Sequence, residues 1–257
     1  MRRTVSLPIA ALIAAAALTS CSSSGKQGAS SDTSQLNRPS TAAAATSAVR
    51  LAWSHTGAFF DKPQIWYVAR VSNPGKSVAS AASAASVALD ARALDKTDTI
   101  VGSNQAVLPN IPAGATFDYF GYLGGGGALD TELTGTPVKV QVAAAKNAFG
   151  QAGAVEQPML KTGPVALKQG HADTYTDAPY SYNLTVKVTN STHDTVSGGV
   201  TQQVVLYDAE GDVVGGDTGS SDSVPDNLPA GMSYREQWSG IPAMAKAVRA
   251  VYTVWQG

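Results

Sequence analysis

One seven-residue pattern occurs twice and limits the possible folds more than any other feature of the chain. Tyr67-Val-Ala-Arg-Val-Ser-Asn73 and Leu184-Thr-Val-Lys-Val-Thr-Asn190 alternate side by side in the same way and both end in asparagine. Tyr67, Ala69 and Val71 correspond to Leu184, Val186 and Val188 on one face, and Val68, Arg70 and Ser72 to Thr185, Lys187 and Thr189 on the other. A period of two is the mark of a half-buried β-strand, and the terminal asparagine marks the turn that follows. The spacing of 117 residues predicts an internal duplication.

Other segments repeat in step. Val87-Ala-Leu-Asp90 aligns with Val205-Leu-Tyr-Asp208, and Ile100-Val-Gly102 with Val213-Val-Gly215. Ile111-Pro-Ala-Gly114 matches Leu228-Pro-Ala-Gly231 almost letter for letter. Asp208-Ala-Glu-Gly-Asp212 joins two apolar runs as a hairpin turn does. The last strands are expected at Val138–Val142 and Val248–Val254. The best helical stretch, Ala79–Ser86, corresponds to a glycine- and threonine-rich segment, Val196–Gln203, and reads as strand or loop. Each copy thus holds six or seven short strands in about 100 residues, which predicts an all-β protein of two tandem antiparallel β-sandwiches. The boundaries are expected at 48–150 and 158–257, with a linker over 151–157.

The order of valine strand, asparagine turn, strand ending in Leu-Tyr-Asp, hairpin and Pro-Ala-Gly resembles the FxLYD-type immunoglobulin-like domains of bacterial envelope and secreted proteins. The second copy carries the motif as Val204-Val205-Leu206-Tyr207-Asp208, with valine where the family prefers phenylalanine. The first copy has Ser86-Val87-Ala88-Leu89-Asp90 at that place. The resemblance implies an immunoglobulin-like fold and leaves activity open, because sandwiches host many functions.

The amino terminus predicts where the protein resides. Arg2 and Arg3 precede a twelve-residue apolar run, Leu7–Leu18, which has the layout of a secretory signal. A spanning helix needs about 20 such residues. Leu18-Thr19-Ser20-Cys21 resembles the lipobox of bacterial lipoproteins. That resemblance implies removal of residues 1–20, a diacylglycerol group on the Cys21 sulfur and a fatty acyl chain on the new amino terminus. Each buried methylene contributes about 0.8 kcal/mol, so two or more chains hold a protein stably on a membrane. Residues 22–47 are serine, alanine, threonine and glycine with almost nothing large, too little apolar surface to offset the entropy of ordering. They read as a flexible tether with a reach on the order of 25–30 Å.

Composition removes several function classes. The whole chain carries a net charge of −1, and loss of Arg2 and Arg3 lowers its 18 basic residues to 16 against 19 acidic ones. No basic surplus exists to neutralise phosphates, so a nucleic-acid partner is not expected. Cys21 is the only cysteine, which excludes an intrachain disulfide and argues against a zinc site. His55, His171 and His193 are widely separated, with no metal-binding spacing, and His193 is expected in a solvated turn. Pro74-Gly75-Lys76-Ser77 ends like a phosphate loop, but Arg70 stands where that motif needs glycine, so no nucleotide is expected. No Gly-x-Ser-x-Gly elbow occurs, and Ser23-Ser-Gly-Lys26 falls in the tether. No catalytic residue, cofactor or metal ligand is therefore assigned.

Two regions keep a functional alternative. Asp208, Glu210, Asp212, Asp217, Asp222 and Asp226 are turn residues or, alternatively, oxygen donors for calcium. Tyr119-Phe-Gly-Tyr-Leu-Gly-Gly-Gly-Gly127 is a core strand followed by an insertion or, alternatively, a loop with aromatic anchors for a ligand; Gln237-Trp-Ser-Gly240 stands there in the second copy. Trp66 and Trp238 fit either core or surface. The expected function is a membrane-anchored, non-catalytic binding or scaffold module for an envelope protein, peptide or cell-wall ligand. An envelope enzyme or its accessory subunit and a calcium-stabilised adhesion module are the alternatives. Replacing the lipidated residue tests the anchor: Cys21→Ala is expected to move the protein from the membrane fraction to the soluble one, and unchanged fractionation refutes it.

Overall fold

The alternating segments Tyr67–Ser72 and Leu184–Thr189 are strands in the computed structural model, which describes residues 48–74, 76, 88–125, 132–145, 157–171 and 175–256. The leader, Cys21, the tether, Ala79–Ser86, Gly75, Ser77 and 151–156 of the expected linker lie outside the described residues. The first half contains β1 (Ala48–Phe59), β2 (Lys62–Ser72), β3 (Ala88–Leu94), β4 (Ile100–Val107), β5 (Thr116–Gly124) and β6 (Lys139–Ala144). The second contains β7 (Lys161–Thr162), β8 (Ala166–Gln169), β9 (Tyr180–Thr189), β10 (Val196–Ser197), β11 (Val200–Tyr207), β12 (Val213–Ser220), β13 (Asn227–Leu228), β14 (Ser233–Ala243) and β15 (Arg249–Gln256). The described residues contain no helix, and every ladder between these strands is antiparallel.

In the first half, a sheet of order β1-β2-β5 faces one of order β4-β3-β6. Ile65, Tyr67, Ala69 and Val71 of β2 meet Leu89, Ala91 and Ala93 of β3 in the core between them. The second half has the order β15-β11-β12-β14-β9-β7, with β8 also on β9. Its β12–β14 ladder is the single pair Gly215↔Ala243, so the sheet turns a corner there and its two parts face each other. Leu184, Val186 and Val188 of β9 then pack with Val204, Leu206, Ile241 and Val254. Both halves are sandwiches with alternate side chains turned inward. β2 and β9 are the middle strands of corresponding layers, as are β3 and β11.

The two asparagines fasten corresponding turns. Asn73 Nδ2 donates to Ile111 O at 2.9 Å, and Asn190 Nδ2 to Leu228 O at 2.8 Å. The backbone N–H of Gly114 donates to Asn73 O, and that of Gly231 to Asn190 O, both at 2.8 Å. In each Pro-Ala-Gly turn the proline carbonyl accepts a bond from the residue after glycine, which needs positive φ at the glycine. Gly114 and Gly231 supply 71° and 77°.

The structure departs from the half-buried strand expected at β2. Trp66 and Val68, on the face away from the first core, are also buried, because they pack with Phe120, Val205 and Tyr207 across the junction between the halves. The chain end crosses the same junction: Trp255 of β15 lies in the first core, edge-on to Phe117 at 6.1 Å. Gln157, at the end of the expected linker, is bonded through its carbonyl to Asn110 N at 3.0 Å. All described residues belong to one compact unit.

Asn190 is wholly buried and makes four side-chain bonds, to Asp194 O, Leu228 O and the N–H and hydroxyl of Thr192. Leaving buried carbonyls unmet costs about 1–3 kcal/mol each. Asn190→Ala is therefore expected to destabilise the fold by about 2–4 kcal/mol, read as a lower midpoint in urea unfolding.

Candidate functional site

The outward face of the β1-β2-β5 sheet is built by simple alternation. Trp53, His55 and Phe59 come from β1, Gln64, Trp66, Val68 and Arg70 from β2, and Asp118, Phe120 and Tyr122 from β5. Strands β11, β12 and β14 of the second half cover it, and two groups of contacts form.

At one end the two halves are clasped by polar contacts beside an open groove. Arg70 grips Asp118 through two bonds of 2.6 Å, and the Tyr207 hydroxyl donates to Asp118 Oδ2 at 2.9 Å. The guanidinium of Arg249 lies 3.8 Å above the Tyr207 ring, a cation–π contact. Burial works to raise the Asp118 pKa, but the bonds from Arg70 and Tyr207 outweigh it and hold the carboxyl below its usual range. Burial, and then the Asp118 charge, pushes the Tyr207 phenol up. Gln203, buried in β11, completes β5: its Nε2 donates to Asp118 O at 2.7 Å, and its Oε1 accepts from Phe120 N at 3.0 Å. Phe120 packs against Gly216, where a Cβ would stand 2.7 Å from its ring.

At the other end the halves do not close, and a cleft of about 230 Å³ remains. Phe59, Gln64, Trp66 and Tyr122 line it from the first half, and Thr176, Gly216, Asp217, Ser239, Gly240 and Pro242 from the second. Its opening follows from a bulge. Trp238 pairs with Leu184 and Ile241 with Tyr182, which leaves Ser239 and Gly240 opposite Asn183 alone. Gly240 takes φ +81° there, and its N–H reaches Asn183 Oδ1 at 3.3 Å. Bulges of this kind re-aim side chains, and Ser239 and Gly240 form part of the cleft wall.

Gln64 is the unusual member of this wall. It is 4% exposed, its Nε2 makes one long bond of 3.4 Å to Gly124 O, and its buried Oε1 has no protein partner. Beside it, Trp66 is stacked on His55 at 5.5 Å, and His55 on Trp53 at 6.3 Å. His55 Nε2 lies 3.7 Å from Asp177 Oδ2, and Asp177 rests against Gly57, where a Cβ would meet its carboxylate. The segment holding Asp177 is tied to β1 by the bridge Phe59↔Thr176 and by Phe60 N–H to Tyr175 O at 2.9 Å. The cleft can hold a small ligand between flat apolar walls and fix it by a few hydrogen bonds.

Sequence reasoning identified part of this site. Trp66 and Tyr122 line the cleft, whereas Phe120 and Tyr119 pack into the junction and the first core. Trp238 packs against the second core. Asp208 and Asp212 close the β11–β12 hairpin: Asp208 Oδ1 accepts Asp212 N–H at 2.8 Å. Asp217 stands apart from them on the cleft wall, and no three acidic, histidine or cysteine residues converge among the described residues. His171 and His193 are exposed. Gln64, Asp118 and Gln203 went unnoticed, although Gln203 directly precedes the apolar run Val204–Tyr207, where a polar side chain on a buried strand signals a special contact. Glu236 was also missed; it is buried and accepts bonds from the hydroxyls of Ser221 and Ser223.

The Asp118 cluster generates a pH dependence. A carboxyl depressed in the folded state contributes stability above its unfolded value of about 3.9, and that contribution disappears as pH falls through the folded value. Asp118→Asn is expected to lower stability by about 1–3 kcal/mol at pH 6, with the gap to wild type closing towards pH 3 in thermal melts. No protein-family model and no curated protein matches this chain, so its site is read from geometry alone.

Proposed function

We propose that this protein is a lipid-anchored, extracytoplasmic binding module that works by non-covalent recognition. In this reading Cys21 carries the lipid, residues 22–47 space the folded part from the membrane, and that part is a duplicated immunoglobulin-like unit. The matching asparagine turns at a separation of 117 residues and the common strand order support the duplication. The recognition site is the cleft between the halves rather than an end loop of either.

One observation carries this proposal: a cleft of about 230 Å³ stands open between the halves, walled on one side by Phe59, Gln64, Trp66 and Tyr122. The flanking Phe59, Trp66 and Tyr122 supply apolar walls that a small ligand can cover.

The test is made in intact cells with the full chain. A photoreactive phenylalanine at position 59 is expected to capture a small ligand, and Gln64→Leu is expected to reduce the captured amount at least fivefold. An absent adduct, or one that Gln64→Leu leaves undiminished, refutes the site.

A further inference from the structure

We infer that the groove at the Asp118 end is a second site and that it takes a small phosphate monoester. The groove has a volume of about 590 Å³ and runs from the outer face of β1, β2 and β5 to the β11–β12 hairpin and β15. Arg50, Arg70 and Arg249 all line it, three of the five arginines among the described residues, although the chain as a whole has no basic surplus. The fold, and not composition, therefore gathers this charge. The cleft beside Gln64 shares none of this lining, so the two sites stand or fall separately.

Charge selects the class of ligand. Asp118 is the one carboxylate among the lining residues, so three guanidiniums leave two positive charges unmatched. Asp118 is bound through both oxygens by Arg70. Arg50 and Arg249 form no ion pair among the described residues. Arg249 is held instead by its stacking on Tyr207, which fixes the guanidinium plane and leaves its N–H edge for an oxyanion. A phosphate monoester carries about −1.5 to −2 charges at pH 7 and matches that surplus. A carboxylate or a phosphodiester brings only one charge.

Shape agrees with charge. Hydroxyls of Ser72, Thr116 and Thr253 join the arginines from β2, β5 and β15, and a phosphate has oxygens on every side to accept from them. Gly211 brings the hairpin to the rim, with Asp208, Glu210 and Asp212 beside it. A polyanion or an anionic bilayer would have to lie against these carboxylates, whereas a single compact phosphate sits among the arginines. The ionisable groups facing the ligand are thus the three arginines, Asp118 and Tyr207, with the hairpin acids at the rim; no histidine lines the groove. A gain in affinity centred near pH 6 is then the ligand's own second ionisation, whose pKa is about 6.

The experiment titrates the full chain in detergent with glycerol 3-phosphate and reads binding by phosphorus NMR relaxation. Acetate and dimethyl phosphate serve as competitors. Glycerol 3-phosphate is expected to bind at millimolar concentration or below, at least threefold more tightly at pH 7.5 than at pH 5. Arg50→Gln and Arg249→Gln are each expected to weaken it at least fivefold. Arg92→Gln removes the same charge outside the groove and is expected to leave binding unchanged. Arg50 is exposed on an edge strand, so Arg50→Gln decides the matter even if Arg249→Gln unfolds the protein. No binding, equal competition by acetate or dimethyl phosphate, affinity flat with pH, undiminished binding to Arg50→Gln, or an equal loss in Arg92→Gln overturns the inference. Binding of the phosphate only as phosphatidic acid in vesicles likewise overturns it.

Discussion

The second buried face of β2 is the constraint on which the rest of the structure depends. An alternating strand needs only one covered face, and Ile65, Tyr67, Ala69 and Val71 already supply it. Trp66 and Val68 on the opposite face would leave large apolar side chains in water. Packing them on Val205 and Tyr207 recovers about 1.5–3 kcal/mol for each large side chain buried. That packing fixes where β5 lies against β11, and hence which polar groups meet. Gln203 can bond the β5 backbone, and Tyr207 can reach Asp118, only because the apolar cluster holds the two sheets at contact distance.

The junction is asymmetric along its length, and the asymmetry has a physical cause. At the Asp118 end the carboxylate is held by Arg70 and by the Tyr207 hydroxyl, and Arg249 lies on the Tyr207 ring, so the two sheets are clasped by charge-assisted contacts. At the Gln64 end the bulge at Ser239–Gly240 breaks the regular register, and Ser239 and Gly240 border the space that remains. The same packing therefore produces an electrostatic clasp at one end, itself open to solvent on one side, and a narrower cleft at the other. Trp255 adds a further tie by inserting the last strand into the first core, so the walls of the cleft belong to one compact body.

Much of the strand pattern was legible before any coordinates. Tyr67–Asn73 and Leu184–Asn190 mark the two middle strands, Asp208–Asp212 marks a hairpin, and the Pro-Ala-Gly segments mark turns, because each depends on local geometry and side-chain alternation. The candidate site was legible only in fragments. Trp66 and Tyr122 stood out as aromatics, but nothing local distinguishes an aromatic that fills a core, as Phe120 does, from one that lines a cleft. The acidic stretch drew notice as a possible cation site, yet Asp208 is spent on its own hairpin while Asp217 faces the cleft. Gln203 was overlooked because its partners, the backbone of Asp118 and Phe120, lie on the other half of the chain, and Gln64 because nothing local tells a strand-edge glutamine from a buried one.

The amino-acid sequence by itself determined the antiparallel all-β character and the approximate positions of its strands and turns, since alternation, asparagine turns and glycine conformations act over a few residues. The tertiary structure alone decided that the outer face of β2 is covered, that Asp118 joins Arg70 to Tyr207, and that Gln64 borders a cleft with its oxygen unmet. Those outcomes depend on contacts between residues more than eighty positions apart, such as Asp118 and Tyr207. No local pattern specifies which two sheet faces meet, because that choice is made by shape and charge matching across the whole surface.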